Sequence, residues 1–273
     1  MFIYDVNTHD EIVWGPNGRA SDVPVAAGGA PNPLESESPL APNKSDIETF
    51  LRDHVGTMIH VVSIKPDADK NDPDKIHGHY FGDAAGDAAS WVAAENAGGR
   101  NCYWTVNVTA AGLDRKPSKE DIAAARFAHA DIDPPKGSAG MDKGAALASL
   151  QALDLVPSFV IDSGNGLQPL WRLAYAPECD PVENINRAIA EKLGADNCYN
   201  IDRLLRVPGT INWPDAKKRA RGRVPVLARL AYDGGREAIY TPDQLARVFR
   251  RSPAPTRKAR RPLARTSSAT SSP

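Results

Sequence analysis

The 273-residue sequence predicts an α+β domain over about residues 45–251, and three observations carry that reading. Short runs with strand chemistry alternate with capped helical runs. A glycine-rich turn, Ser163-Gly164-Asn165-Gly166, joins two of the strands as a hairpin. The composition, 41% hydrophobic and 25% charged, is that of an ordinary globular protein.

Taken in order, Ser45-Asp46-Ile47-Glu48 has capping-box spacing and opens a short helix through about His54. Met58–Ile64 reads as a strand, His79-Tyr80-Phe81 as the start of another, and Asn101–Val108 as an aromatic, β-branched third. Ser118 caps a short helix. Phe127–Ile132 is a strand, and Lys143–Leu153 has helical spacing of Ala and Leu. Ser158–Ile161 and Leu167–Leu173 flank the hairpin turn. A helix over about Val182–Leu193 and a strand over Val224–Ala231 follow. Thr241-Pro242 starts a last helix, Thr as N-cap and Pro in the first turn.

Outside this region, residues 15–44 carry six prolines and a Gly28-Gly29 pair, so residues 1–44 read as an arm with a flexible linker. Residues 252–273 form a basic tail rich in Ser and Pro that cannot bury enough apolar surface to fold alone. Such a tail either adds nonspecific attraction to nucleic-acid phosphates or is simply solvated. Residues 250–273 hold seven of the 33 basic groups and no acid, leaving residues 1–249 with 26 basic against 34 acidic groups, a balance of −8.

Several classes are excluded. No run approaches 18 apolar residues, so no membrane partner is expected. The first residues lack a basic-then-apolar leader, and Cys102, Cys179 and Cys198 are widely spaced without a C-x-x-C pair. A cytoplasmic chain with no disulfide framework and no zinc is the expectation. No G-x-x-x-x-G-K-[ST] run marks a Walker-type ATPase.

Three segments could carry chemistry. In Ala130-Asp131-Ile132-Asp133-Pro134-Pro135, strand alternation puts Asp131 and Asp133 on one face. Two adjacent anions need a cation or donors, and carboxylate oxygens suit Mg²⁺ or Mn²⁺; alternatively both acids merely end an edge strand. In the turn Ser163, Gly164, Asn165 and Gly166, glycines could expose backbone amides to a phosphate, with Gln168 and Arg172 reaching the ligand from one strand face. A bare hairpin has the same sequence. In Asn200–Asn212 (NIDRLLRVPGTIN), Asp202 precedes Arg203 and Arg206, which on a helical turn would share a face and grip phosphate. Lys217, Lys218, Arg219, Arg221 and Arg223 follow as a nucleic-acid-binding stretch or a solvated charged face.

Taken together, D-x-D at Asp131/Asp133, S-G-x-G at Ser163–Gly166 and Asp202 in NIDRLLRVPGTINWP resemble the primase domain of RepB-like primase-polymerases. These belong to the archaeo-eukaryotic primase superfamily, and the likeness is to plasmid- and phage-associated members. The resemblance implies a central, mostly antiparallel sheet flanked by helices. It implies a nucleotidyltransferase that makes or extends primers on single-stranded DNA from nucleoside triphosphates. Asp131, Asp133 and Asp202 would hold two Mg²⁺ or Mn²⁺ ions, template would lie along 217–223, and a separate replicative helicase is a conceivable partner. One departure is visible. The superfamily's second motif usually presents a histidine to the nucleotide phosphates, and Gln168, which carries no charge, stands there. Two rival readings remain at this point: a replication module that binds DNA without catalysis, and a metal-dependent nuclease.

Overall fold

The computed structural model describes residues 40–135, 138 and 140–249. Residues 1–39 of the expected arm and all of the expected tail lie outside them.

Asn43, not Ser45, caps the first helix, α1 (Lys44–Phe50); its side chain accepts from the Asp46 amide at 3.2 Å. A π turn (Leu51–Val55) carries the helix on to Gly56. Then come β1 (Ile59–Ile64), β2 (Ile76–Gly82) and α2 (Ala85–Ala97). α2 is missing from the expectations above: its small side chains bury well but give no visible apolar stripe. The expected strand at 101–108 divides into β3 (Asn101–Thr105) and β4 (Val108–Thr109). A 3₁₀ turn (Lys119–Asp121) closed by a Ser118–Asp121 capping box leads to β5 (Ile122–Ala124) and β6 (Phe127–His129). α3 (Lys143–Gln151), β7 (Phe159–Asp162), β8 (Leu167–Leu173) and α4 (Cys179–Leu193) match their expected places. β9 (Leu204–Arg206), β10 (Ile211–Asn212) and α5 (Ala216–Arg219) follow. The expected strand at 224–231 becomes β11 (Val226–Leu227) and β12 (Arg229–Asp233), and the chain ends in β13 (Ile239–Tyr240) and α6 (Pro242–Val248).

The strands form two main sheets. One has the order β2-β1-β3-β9, antiparallel throughout; the other has the order β12-β7-β8-β13, with β6 also pairing β8. Its single parallel pair is β13–β8. Alternation along β3 sends Cys102 and Trp104 into a core that also holds Phe50, Val61, Phe127, Phe159, Leu170 and Leu205. That core joins the two sheets, and Trp104 sits edge-on to Phe50 and Phe127 at 5.4 and 5.7 Å. On the back of the second sheet, Ala128, Trp171 and Leu173 pack against Val182, Ile185 and Ile189 of α4 and Leu245 of α6.

Asn101 and Tyr103 alternate with this core face, and Tyr103 lines a cleft on that side. Side-chain amides act as surrogate backbone for the segment around β10. Asn96 exchanges hydrogen bonds with Ile211 (2.7 and 2.9 Å), and Asn101 does so with Trp213 (2.8 and 2.8 Å). The preceding turn needs Gly209: its φ is +84°, and a Cβ there would meet the Asn43 carbonyl oxygen at 2.8 Å.

This gives a paired prediction. Gly209 and Gly222 are both left-handed, but only Gly209 faces a neighbour, since Gly222 has nothing within 4 Å. Gly209→Ala should cost about 2–3 kcal/mol and Gly222→Ala about 1 kcal/mol. Urea midpoints measure both; equal losses would mean that Asn43 yields freely.

Candidate active site

β6 ends at His129, yet the chain continues alongside β8. Ala130 donates to the Pro169 carbonyl (3.2 Å), and Ile132 exchanges two hydrogen bonds with Leu167 (2.8 and 3.0 Å). The extended path keeps Asp131 and Asp133 on one side, as their spacing predicts, and both line a cavity of about 220 Å³. Asp131 is well packed, its side chain 13% exposed. Its Oδ1 accepts from Gln168 Nε2 (3.1 Å) and its Oδ2 from Arg203 Nη2 (2.8 Å). Burial raises the Asp133 carboxyl above its ordinary range; Asp131 and Asp196 push the same way, and Arg223 and Lys218 pull it back.

The hairpin turn supports these carboxylates. Ser163, Gly164 and Gly166 spend their amides inside it, on the Gly166 carbonyl, Asp162 Oδ1 and Ser163 Oγ respectively. The expectation of amides turned outward to a phosphate therefore fails for these three. Lys143 locks the turn by binding Asp162 (2.6 Å) and the Gly164 carbonyl (2.9 Å). Gly166 is required because a Cβ would stand 2.8 Å from Asp133 Oδ1 and collide with the Ile132 carbonyl. Ser163 and Asn165 still line the cavity.

The opposite wall is cationic. Arg203 and Arg206 do not share a helical turn: Arg206 is on the strand β9, paired with β3 through Tyr103↔Arg206, and Arg203 directly precedes it. β-Branched and apolar neighbours on both sides favour the ladder over a lone turn. Arg206 is 5% exposed and bonds Asn101 Oδ1 (2.7 Å), Asn212 Oδ1 (2.9 Å) and the Tyr103 hydroxyl (3.2 Å), with its guanidinium 4.4 Å from the Tyr103 ring centre. Among the described residues it enters no ion pair, and its Nε is buried without a partner. Gln168 spans both walls, because its Oε1 accepts from the Arg206 amide (3.1 Å) while its Nε2 holds Asp131.

The basic stretch divides. Lys218 and Arg223 line the cavity. Arg219 turns away to Asp67 (2.8 Å) and the Pro214 carbonyl (2.7 Å), while Lys217 and Arg221 are exposed and outside the lining. Two expected members are also elsewhere. Arg172 shares a strand face with Gln168 but sits four residues, about 13 Å, farther along, where it covers the Phe127 ring at 5.2 Å. Asp202 lines an adjoining cavity with Arg203, not the one that holds Asp131 and Asp133. Among the described residues no group of three or more His, Cys, Asp or Glu side chains is arranged to hold a metal ion. Tyr103 and Asn212 complete the lining and were not anticipated, nor was Asp196, whose amide donates to the Asp131 carbonyl at 2.9 Å. Alternation along NCYWT was the available signal for Tyr103, since Cys102 and Trp104 claim the core face.

His129 is fully buried. Its amide and Nδ1 are held by Asn186 (2.9 and 3.3 Å), and its Nε2 faces the Cys198 carbonyl (3.1 Å), which assigns the proton to Nε2. Burial, then the Arg203 charge, pushes the imidazole down to about 4. The unfolded chain therefore binds more protons than the folded one between pH 6.5 and 4. Stability should fall by about 3 kcal/mol as pH drops through that window. His129→Gln should lose this part of the pH slope in urea titrations at pH 7 and 4.5; an unchanged slope would assign it to other groups.

No family model and no curated protein sequence matches the chain. Solved structures do. The archaeo-eukaryotic primase domain of the cyanophage S-2L primase-polymerase aligns with a TM-score of 0.50 at 18% identity, covering 77% of this chain and 100% of that one. The primase RepB′ aligns with a TM-score of 0.50 at 15% identity, covering 76% of this chain and 61% of that one. The chain has the archaeo-eukaryotic primase fold that the sequence resemblance implied.

Proposed function

We propose that the protein is a nucleotidyltransferase of the DNA primase-polymerase type, acting on nucleoside triphosphates over a single-stranded DNA template. One observation carries the reading. A single cavity joins a carboxylate pair, Asp131 and Asp133, to a buried arginine, Arg206, that has no acidic partner among the described residues, and to Lys218 and Arg223. One side suits a cation and the other a polyphosphate. An unpaired buried guanidinium is costly unless an anion comes to it. The fold it shares with the cyanophage primase-polymerase domain makes the same suggestion.

The donor set fits a hard divalent ion. It is all oxygen, and crowding by Asp131 and Asp196 helps hold the Asp133 carboxyl above its ordinary range, a tension that a cation relieves. Asp131 and Asp133 would hold Mg²⁺ or Mn²⁺, which would supply charge stabilisation at the transferred phosphoryl group and a lower pKa for the attacking 3′-hydroxyl. The rest falls to the chain. Gln168 orients Asp131 through Oδ1, doing for the carboxylate what the family's histidine does for phosphate. Tyr103, Asn101 and Asn212 fix the Arg206 guanidinium, so it can meet phosphate oxygens with little reorganisation. Lys218 and Arg223 draw anionic ligands in, and the exposed Lys217 and Arg221 extend the same field toward template.

The test is labelled-nucleotide incorporation on single-stranded template with Mn²⁺ or Mg²⁺. Asp131→Asn should lower incorporation by at least about 10²-fold while DNA binding persists. A wild-type protein that binds DNA and incorporates nothing would favour the replication-module reading, and template degradation would favour a nuclease. Separately, Lys218→Ala and Arg223→Ala should each reduce the slope of log affinity for DNA against log salt by about one. Unchanged slopes would remove these residues from the DNA path.

A further inference from the structure

Lys218 and Arg223, which line the cavity beside the carboxylates, belong to one short segment. The Lys218 carbonyl accepts from the Arg221 and Arg223 amides (3.0 and 3.1 Å), which ties the two residues together. The helix at the head of this segment, α5, has four residues, and so short a helix is marginal in water without outside support. Among the described residues, that support comes through one side chain. Asp67, 149 residues before Ala216, accepts from its amide at Oδ1 (2.6 Å), and Asp67 Oδ2 lies 2.8 Å from Arg219 Nη2. No other hydrogen bond or ion pair among them reaches 216–223 from outside 214–223. Asp67 is itself on a fastened loop, the one between β1 and β2. There Lys65 donates its amide to the Lys75 carbonyl (3.0 Å), and Lys75 Nζ binds the Ala68 carbonyl (2.9 Å). The buried Arg100 holds the Asp74 and Lys75 carbonyls (2.8 and 3.1 Å), and its Nε meets Ser63 and Glu95 (2.9 and 2.8 Å).

We propose that Asp67 is a positioning residue: through α5 it holds Lys218 and Arg223 toward the phosphates of a bound strand, an inference that rests on the function proposed above. On charge alone an acid beside these cations opposes an anionic ligand, so its use lies in geometry. Adjacent residues of a helix point about 100° apart, and fixing Arg219 on Asp67 therefore fixes the direction of Lys218. The Ala216 amide, then Arg219, holds the Asp67 carboxyl below its ordinary range, so the clamp is ionised at neutral pH. The loop between β1 and β2 thus braces the cationic side of the cavity from outside it.

Charge and position predict opposite signs, and that separates them. The affinity of the full chain for a labelled single-stranded oligodeoxynucleotide is measured against salt for wild type, Asp67→Ala, Asp67→Asn and Lys218→Ala. If Asp67 acts by charge alone, removing it tightens binding and leaves the salt slope at least as steep. As a positioning residue, its loss in Asp67→Ala should weaken binding and reduce the slope by about one, as Lys218→Ala does. Asp67→Asn, which keeps an oxygen for the Ala216 amide, should fall between wild type and Asp67→Ala. Lys218→Ala should cost less affinity in the Asp67→Ala chain than in wild type, since the lysine is already displaced there. Tighter or unchanged binding by Asp67→Ala would overturn the positioning role, as would equal costs of Lys218→Ala in both backgrounds. A lowered urea midpoint with a wild-type salt slope would make the contact structural alone and overturn it too. A wild-type chain that binds no DNA would instead bring down the function proposed above, and the positioning role with it.

Discussion

Two backbone hydrogen bonds exchanged between Ile132 and Leu167 hold the D-x-D segment against the start of β8, and the site is assembled outward from them. They require Gly166 beneath the segment, because any Cβ there would strike it. They bring Asp131 within reach of Gln168, which follows Leu167 on β8. Gln168 in turn accepts from the Arg206 amide, so the register of one sheet edge sets the position of a strand in the other.

Charge is arranged around that contact by sign. The carboxylates ride on the β6 extension of the second sheet, and Arg206 and Tyr103 ride on β9 and β3 of the first. Arg206 is tolerated in the interior because neutral oxygens, two amides and a phenol, satisfy its Nη1 and Nη2 atoms while leaving its charge unspent. Arg203 is the one arginine of the pair that neutralises an acid, Asp131.

Much of this was legible in the sequence for a physical reason: strands and caps are local. The hairpin of β7 and β8, the Thr241 N-cap of α6 and the alternation of Asp131 with Asp133 all depend on neighbours within a few residues. What was missed depends on distance. Arg203 and Arg206 read as a helical pair because three-residue spacing is ambiguous until β3 arrives to pair with Leu204–Arg206. Arg172 shares its face with Gln168, but periodicity says nothing about how far along a strand a cavity extends. Asp202 stands in sequence where the resemblance puts an acid, yet its position depends on the path of the loop between α4 and β9. The hairpin's inward-turned amides depend on Asp162 and the Ser163 hydroxyl, side chains that no turn rule assigns.

The split of the site between two sheets has a mechanical side. A ligand that touches both Asp131 and Arg206 is a crosslink across the seam, so occupancy and cohesion become one quantity. Free energy of binding is returned as resistance to local opening, and it scales with the logarithm of ligand concentration over its dissociation constant. Protease susceptibility and amide exchange along β9 and the β6 extension are thus gauges of saturation, readable on a protein that turns nothing over.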